Sequence, residues 1–119
     1  MKPDPAFLRD FLEAVGRQRG ELDPDFERHV ILRLEAGARE YGDSYRQKTP
    51  AKLIREKREE AADIATWAAL FTEILFDLDR EHEIPPERAQ HLRLKAIGWS
   101  AVAQYLWRDM TNELEEFGG

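Results

Sequence analysis

The chain contains no cysteine among its 119 residues, which excludes disulfide bonds and thiolate metal sites. It also lacks an excess of positive charge, because 18 Lys and Arg residues are outnumbered by 24 Asp and Glu, giving a formal net charge of -6. A protein of this charge is a poor general binder of the DNA or RNA backbone. A small phosphate ligand held through a metal ion remains compatible with it.

Long apolar segments are missing as well. No apolar run approaches the ~20 residues of a membrane-spanning helix, and the N-terminal stretch MKPDPAFLRDF has no signal-peptide core. Together with the absence of cysteine, these features predict a cytoplasmic protein with no membrane partner. The chain also lacks a P-loop, a G-x-S-x-G elbow and an H-E-x-x-H motif, so nucleophilic catalysis has no support in the sequence.

Several of the glycines and prolines mark the ends of predicted helices. Asp23-Pro24 and Thr49-Pro50 each combine an N-cap residue with a proline at the first helical position, and Gly42 provides a stop. Apolar periodicity predicts four helices, at residues 6–17, 24–41, 51–80 and 86–116. No stretch alternates as a strand does. The prediction is therefore an all-α, four-helix bundle-like single domain over residues 1–119, with two long helices.

The third predicted helix places charge where burial is expected. Its residues Glu56, Glu60 and Asp63 are spaced so that they share one helical face. The same stripe continues with Trp67, Leu70 and Ile74. Because the second half of this helix is apolar nearly all round, we expect it to be central and enclosed. Carboxylates on its core-facing stripe then need partners, since an unpaired buried charge is costly.

A divalent cation is one partner that explains the acidic stripe. Carboxylates at helical spacing repel one another, and Mg²⁺ or Mn²⁺ relieves that repulsion through the oxygen ligands it prefers. The predicted ligands are Glu56, Glu60 and Asp63, with Glu35 of the second helix facing them. The alternative is a solvated helix start with local ion pairs, which explains Glu56 and Glu59 well. It explains Asp63 poorly, because Asp63 lies about three turns into the helix.

Basic residues near the acidic stripe are candidates for binding phosphate groups. Lys52 and Arg55 precede the stripe on the third helix, and Lys95 lies on the fourth. Lys and Arg donate charge-assisted hydrogen bonds to phosphate oxygens. The alternative for each of them is an ordinary solvated surface position.

Aromatic residues surround the fourth predicted helix. Trp99, Tyr105 and Trp107 point in different directions around it. They predict either a core packed from several sides or a surface that meets a second copy, so a homodimer or larger oligomer is expected. Gly98 within the same helix predicts close packing or a bend.

Two stretches resemble the MazG-like, all-α nucleoside triphosphate pyrophosphohydrolases. Residues 59–64, Glu-Glu-Ala-Ala-Asp-Ile, look like the E-x-x-D element of that superfamily, and Glu60 and Asp63 match its acidic pair. Residues 39–45, followed by a short polar loop and the acidic helix, are similar to small bacterial and phage members. The resemblance covers residues 30–75.

The resemblance implies a helical, usually oligomeric enzyme that binds Mg²⁺ and cleaves a nucleoside triphosphate to the monophosphate and pyrophosphate. Glu60 and Asp63 would hold the metal together with Glu35 and Glu56, and Glu59 would be available as general base. The family's acidic element on the earlier helix is incomplete here, since Ala36 and Arg39 follow Glu35 where further acids are expected. A second match, Glu40 and Asp43, is interrupted by Gly42. Three alternatives therefore stay open: the missing acid comes from the third helix, it comes from a second subunit, or the metal site is lost.

A non-catalytic interpretation stands beside the enzyme. A helical oligomer that keeps this fold can serve as an interaction module, or as a sensor of nucleotide or metal without turnover. Metal-dependent release of pyrophosphate distinguishes the two.

Overall fold

The structure, a computed structural model, describes residues 5–42 and 44–117, without the side chains of residues 19, 41 and 45. The helices are α1 (Pro5–Arg19), α2 (Pro24–Tyr41), a short 3-10 helix (Ser44–Gln47), α3 (Pro50–Arg80) and α4 (Pro86–Glu116). No strand occurs in these residues, so the all-α prediction is confirmed, with two long helices as expected. Within the same residues, no helix combines the length and apolar character needed to cross a membrane.

The predicted helix boundaries are confirmed by the caps that fix them. At the start of α2, the Asp23 carboxylate accepts hydrogen bonds from the backbone amides of Asp25 and Phe26, at 2.8 and 3.1 Å. At the start of α3, the Thr49 hydroxyl accepts from the amide of Lys52 at 3.2 Å. Gly42 ends α2 with a φ of 62°, a conformation that favours glycine. The short 3-10 helix in the polar loop was not predicted.

The chain divides into two compact units, Met1–Lys48 and Thr49–Gly119. The first contains α1 and α2, joined by a tight connection. A side chain at Gly16 would come within 2.9 Å of the Leu22 Cβ, so this connection requires glycine there. The second unit is a hairpin of α3 and α4. The expectation of a single domain stays a prediction from chain length.

The hairpin is held along a seam of buried residues, most of which are alanines at seven-residue spacing. Seven seam residues are buried, Ala61, Ala68 and Leu75 on α3 and Ala89, Ala96, Ala103 and Leu114 on α4. A heptad repeat keeps one seam facing the neighbouring helix, and alanine lets the two backbones approach closely. Contacts between residues 58 and 111, 67 and 99, and 76 and 93 show that the helices run antiparallel.

The expectation that α3 is enclosed is wrong for the single chain. Its stripe of Trp67, Leu70 and Ile74 lies beside the seam, and these side chains are 51%, 57% and 54% exposed. The physical reason is that the apolar residues of α3 cover more of its circumference than α4 alone can bury. Burial goes to the alanine row, because only small side chains allow the helices to pack closely.

Gly98 is not a point of close packing either. A Cβ built on Gly98 meets no heavy atom within 4 Å. The close contacts of α4 are made instead by Ala96 and Ala103, which are both almost fully buried.

Candidate functional site

One side of the hairpin carries the predicted acidic stripe. The rings of Trp67 and Trp99 meet across the two helices with centroids 5.9 Å apart. Residues three, four or seven positions from these two lie on the same side of their helices. We call this side the tryptophan face, and its main residues are Glu56, Glu60, Asp63, Trp67, Phe71, Ile74, Lys95, Trp99, Val102 and Leu106.

The opposite side of the hairpin has a different character. Arg58 and Phe76 lie nine residues before and after Trp67, half a rotation away around α3. The Arg58 guanidinium lies 4.5 Å from the centroid of the Trp107 ring and donates a hydrogen bond of 3.1 Å to the Thr111 hydroxyl. The Arg93 guanidinium lies 4.3 Å from the centroid of the Phe76 ring. We call this side the arginine face.

A shallow groove runs along the arginine face between its two arginine–aromatic contacts. Its walls are alanines of both helices together with Ser100, Gln104 and Trp107. Ser100 donates its hydroxyl proton to the backbone carbonyl of Ala96 at 2.9 Å. The groove therefore offers mainly apolar surface, and none of its lining residues is acidic.

The acids of the stripe are accessible to solvent rather than buried. Glu60 and Asp63 are exposed, and Glu56 is partly exposed. The expectation that these carboxylates face the core is wrong, because the stripe they share with Trp67 lies on an open face. No burial cost then has to be offset by a metal ion, and exposed carboxylates are accessible to a ligand from solvent.

Glu60 has a local partner of the kind that the alternative interpretation requires. Its Oε1 lies 3.0 Å from the Lys57 ammonium, in an exposed ion pair one turn apart. Such pairs stabilise a helix by only about 0.3–0.5 kcal/mol, so a divalent cation can displace the lysine. Glu59 is exposed and points about 100° around α3 from Glu60. Its proposed role as a base therefore requires a substrate that reaches across both positions.

The remaining predicted residues are spread over both units. Glu35 lies in α2 and is partly exposed. Lys52 and Arg55 are exposed in the first turns of α3. Lys95 is exposed on the tryptophan face, but it lies on the far side of the tryptophan pair from Asp63, about 12 Å along the hairpin. Within one hairpin, Lys95 is therefore not adjacent to the acids.

In the part of the chain that the structure describes, no group of three or more His, Cys, Asp or Glu residues is placed to hold a metal ion. Asp43, and the side chain of Tyr41 as a surface for a base, lie outside the described residues. The proposed metal ligands Glu35, Glu56, Glu60 and Asp63 stay a prediction.

The tryptophans next to the acids offer a flat apolar surface. Trp67 stacks on Phe71, with ring centroids 5.2 Å apart and 6° between the planes. Trp67 is nevertheless about half exposed, so the expectation that it is a core residue is wrong. An exposed aromatic ring can stack on a nucleobase, and Asp63 lies one turn away.

Two features of the hairpin were missed from the sequence. The alanine row was overlooked although its seven-residue period is legible in the sequence, because alanine contributes little to a hydropathy pattern. Arg58 lies in the charged first half of α3, where local ion pairs are expected, but it reaches across to Thr111 and Trp107 on α4. No local signal distinguishes these two arrangements.

Comparison of the chain with models of protein families, with curated proteins and with solved structures finds no match.

Proposed function

We propose that this protein is a metal-dependent nucleoside triphosphate pyrophosphohydrolase of the MazG-like kind. The observation that supports it best is the placement of Glu60 and Asp63 on one accessible face, two turns and one turn from the half-exposed Trp67. This arrangement puts oxygen ligands for a cation beside a surface that can stack on a base.

The chemistry follows from the charge of the substrate. A bound Mg²⁺ or Mn²⁺ would neutralise negative charge on the triphosphate and would lower the pKa of a water molecule bound to it. Glu56, Glu60 and Asp63, with Glu35, are the residues that would hold it. Water attacks the α-phosphorus as its proton passes to Glu59, and the bond from the α-phosphorus to the bridging oxygen breaks. The products are the nucleoside monophosphate and pyrophosphate.

Basic residues have a separate role in this proposal. Lys52 and Arg55 lie in the same helix as the acids and carry the charge that the terminal phosphates need. Lys95 serves the same purpose only if it comes to the acids from another hairpin, since its own position lies beyond the tryptophan pair.

The test is pyrophosphate release from a panel of nucleoside triphosphates with Mg²⁺, with Mn²⁺ and with chelator. We expect release with metal and none with chelator. Glu60→Gln should reduce the rate by roughly 100-fold or more, since even an outer-shell change at a metal site costs about 10–100-fold. Glu73→Gln is a matched control, because Glu73 is exposed on the same helix but on another face. If no triphosphate is hydrolysed with either metal, the enzyme proposal fails.

The second candidate is a non-catalytic interaction or nucleotide-sensing module. The apolar area of the tryptophan face favours it, because exposed patches of this kind mark sites of association. Nucleotide binding without pyrophosphate release, unaffected by Glu60→Gln, would be the result expected from that module.

A further inference from the structure

We draw no further inference here: the strongest candidate, the shallow groove of small residues between α3 and α4 on the arginine face, carries none because nothing in the described part of the chain shows what covers it.

Discussion

The two faces of the α3–α4 hairpin use their aromatic residues differently. On the arginine face, Trp107 is covered by the guanidinium of Arg58, which also bonds to Thr111, so one residue joins both helices within the chain. On the tryptophan face, Trp67 and Trp99 touch each other and remain 51% and 42% exposed. The arginine face therefore strengthens the hairpin, whereas the tryptophan face retains apolar surface for a ligand or a partner.

Charge reinforces this difference. The arginine face holds its two arginines over rings of the neighbouring helix, at 4.5 and 4.3 Å. On the tryptophan face, Glu60 makes an exposed ion pair with Lys57 of the same helix. The arginines that stabilise the hairpin contact aromatic rings of the other helix. Glu60, which is proposed to bind a ligand, makes a weak, exposed ion pair within its own helix. Four substitutions test whether the two faces differ in this way.

The largest effect on stability is expected at the seam that both faces share. Leu75 is 2% exposed, so Leu75→Ala should lower the free energy of unfolding by about 2–5 kcal/mol through lost burial and the cavity left behind. Ile74→Ala, one residue away on the tryptophan face, should cost the isolated chain less than about 1 kcal/mol. Urea denaturation of dilute protein measures both, and equal losses would contradict the assignment of seam and face.

The next largest effect is expected on the association of two copies rather than on the stability of one chain. Trp99→Ala should raise the dissociation constant of the homodimer that the sequence predicts about 30-fold, or ~2 kcal/mol, because tryptophans buried in an interface contribute most to affinity. Sedimentation equilibrium measures it. Phe76→Ala, on the arginine face, serves as the control and should leave the dissociation constant within about twofold. A larger shift in the control than in Trp99→Ala would reverse the roles given to the faces.

A smaller loss of stability is expected on the arginine face. Arg58→Gln removes the contact with the Trp107 ring and the hydrogen bond to Thr111, so the free energy of unfolding should fall by about 1–2 kcal/mol. Arg55→Gln, at an exposed position one turn earlier, should change it by less than about 0.5 kcal/mol. Urea titration of both variants tests this, and indistinguishable midpoints would show that the cross-helix contact adds nothing.

The smallest effect on stability is expected for Lys57→Gln. Removing its exposed pair with Glu60 should cost about 0.3–0.5 kcal/mol, and less at high salt. The same change should lower the Mg²⁺ concentration needed for half-maximal pyrophosphate release, because it frees a carboxylate and removes a competing cation. Arg108→Gln, at an exposed position of α4 outside the tryptophan face, controls for the general loss of positive charge. A higher Mg²⁺ requirement in Lys57→Gln would count against Glu60 as a ligand.

Helix positions could be predicted from the sequence because their signals are local. Asp23, Thr49 and Gly42 act within one turn of the helix they begin or end, and each was assigned from its immediate neighbours. The Lys57–Glu60 pair is equally local and was among the pairs expected. All-α structure followed from the same short-range pattern.

The two faces of the hairpin could not be predicted, because they depend on which residues of α3 pack against α4. Apolar residues cover most of the circumference of α3, so periodicity alone favours the bulky stripe of Trp67 and Ile74 as the core. Close packing selects Ala61 and Ala68 instead, and this choice moves the acids from a buried to an open position. Whether the acids of the candidate site are buried or accessible to solvent is therefore decided by how α3 packs against α4, and not by the local sequence pattern.

The most direct test of the proposed function is the rate of Mg²⁺-dependent pyrophosphate release in three proteins of equal helicity: wild type, Asp63→Asn and Glu73→Gln. Both substitutions neutralise one exposed carboxylate of α3, and only Asp63 lies on the tryptophan face. The account predicts that Asp63→Asn loses roughly 100-fold or more in rate while Glu73→Gln stays within about twofold of wild type. Equal rates in all three proteins would contradict it.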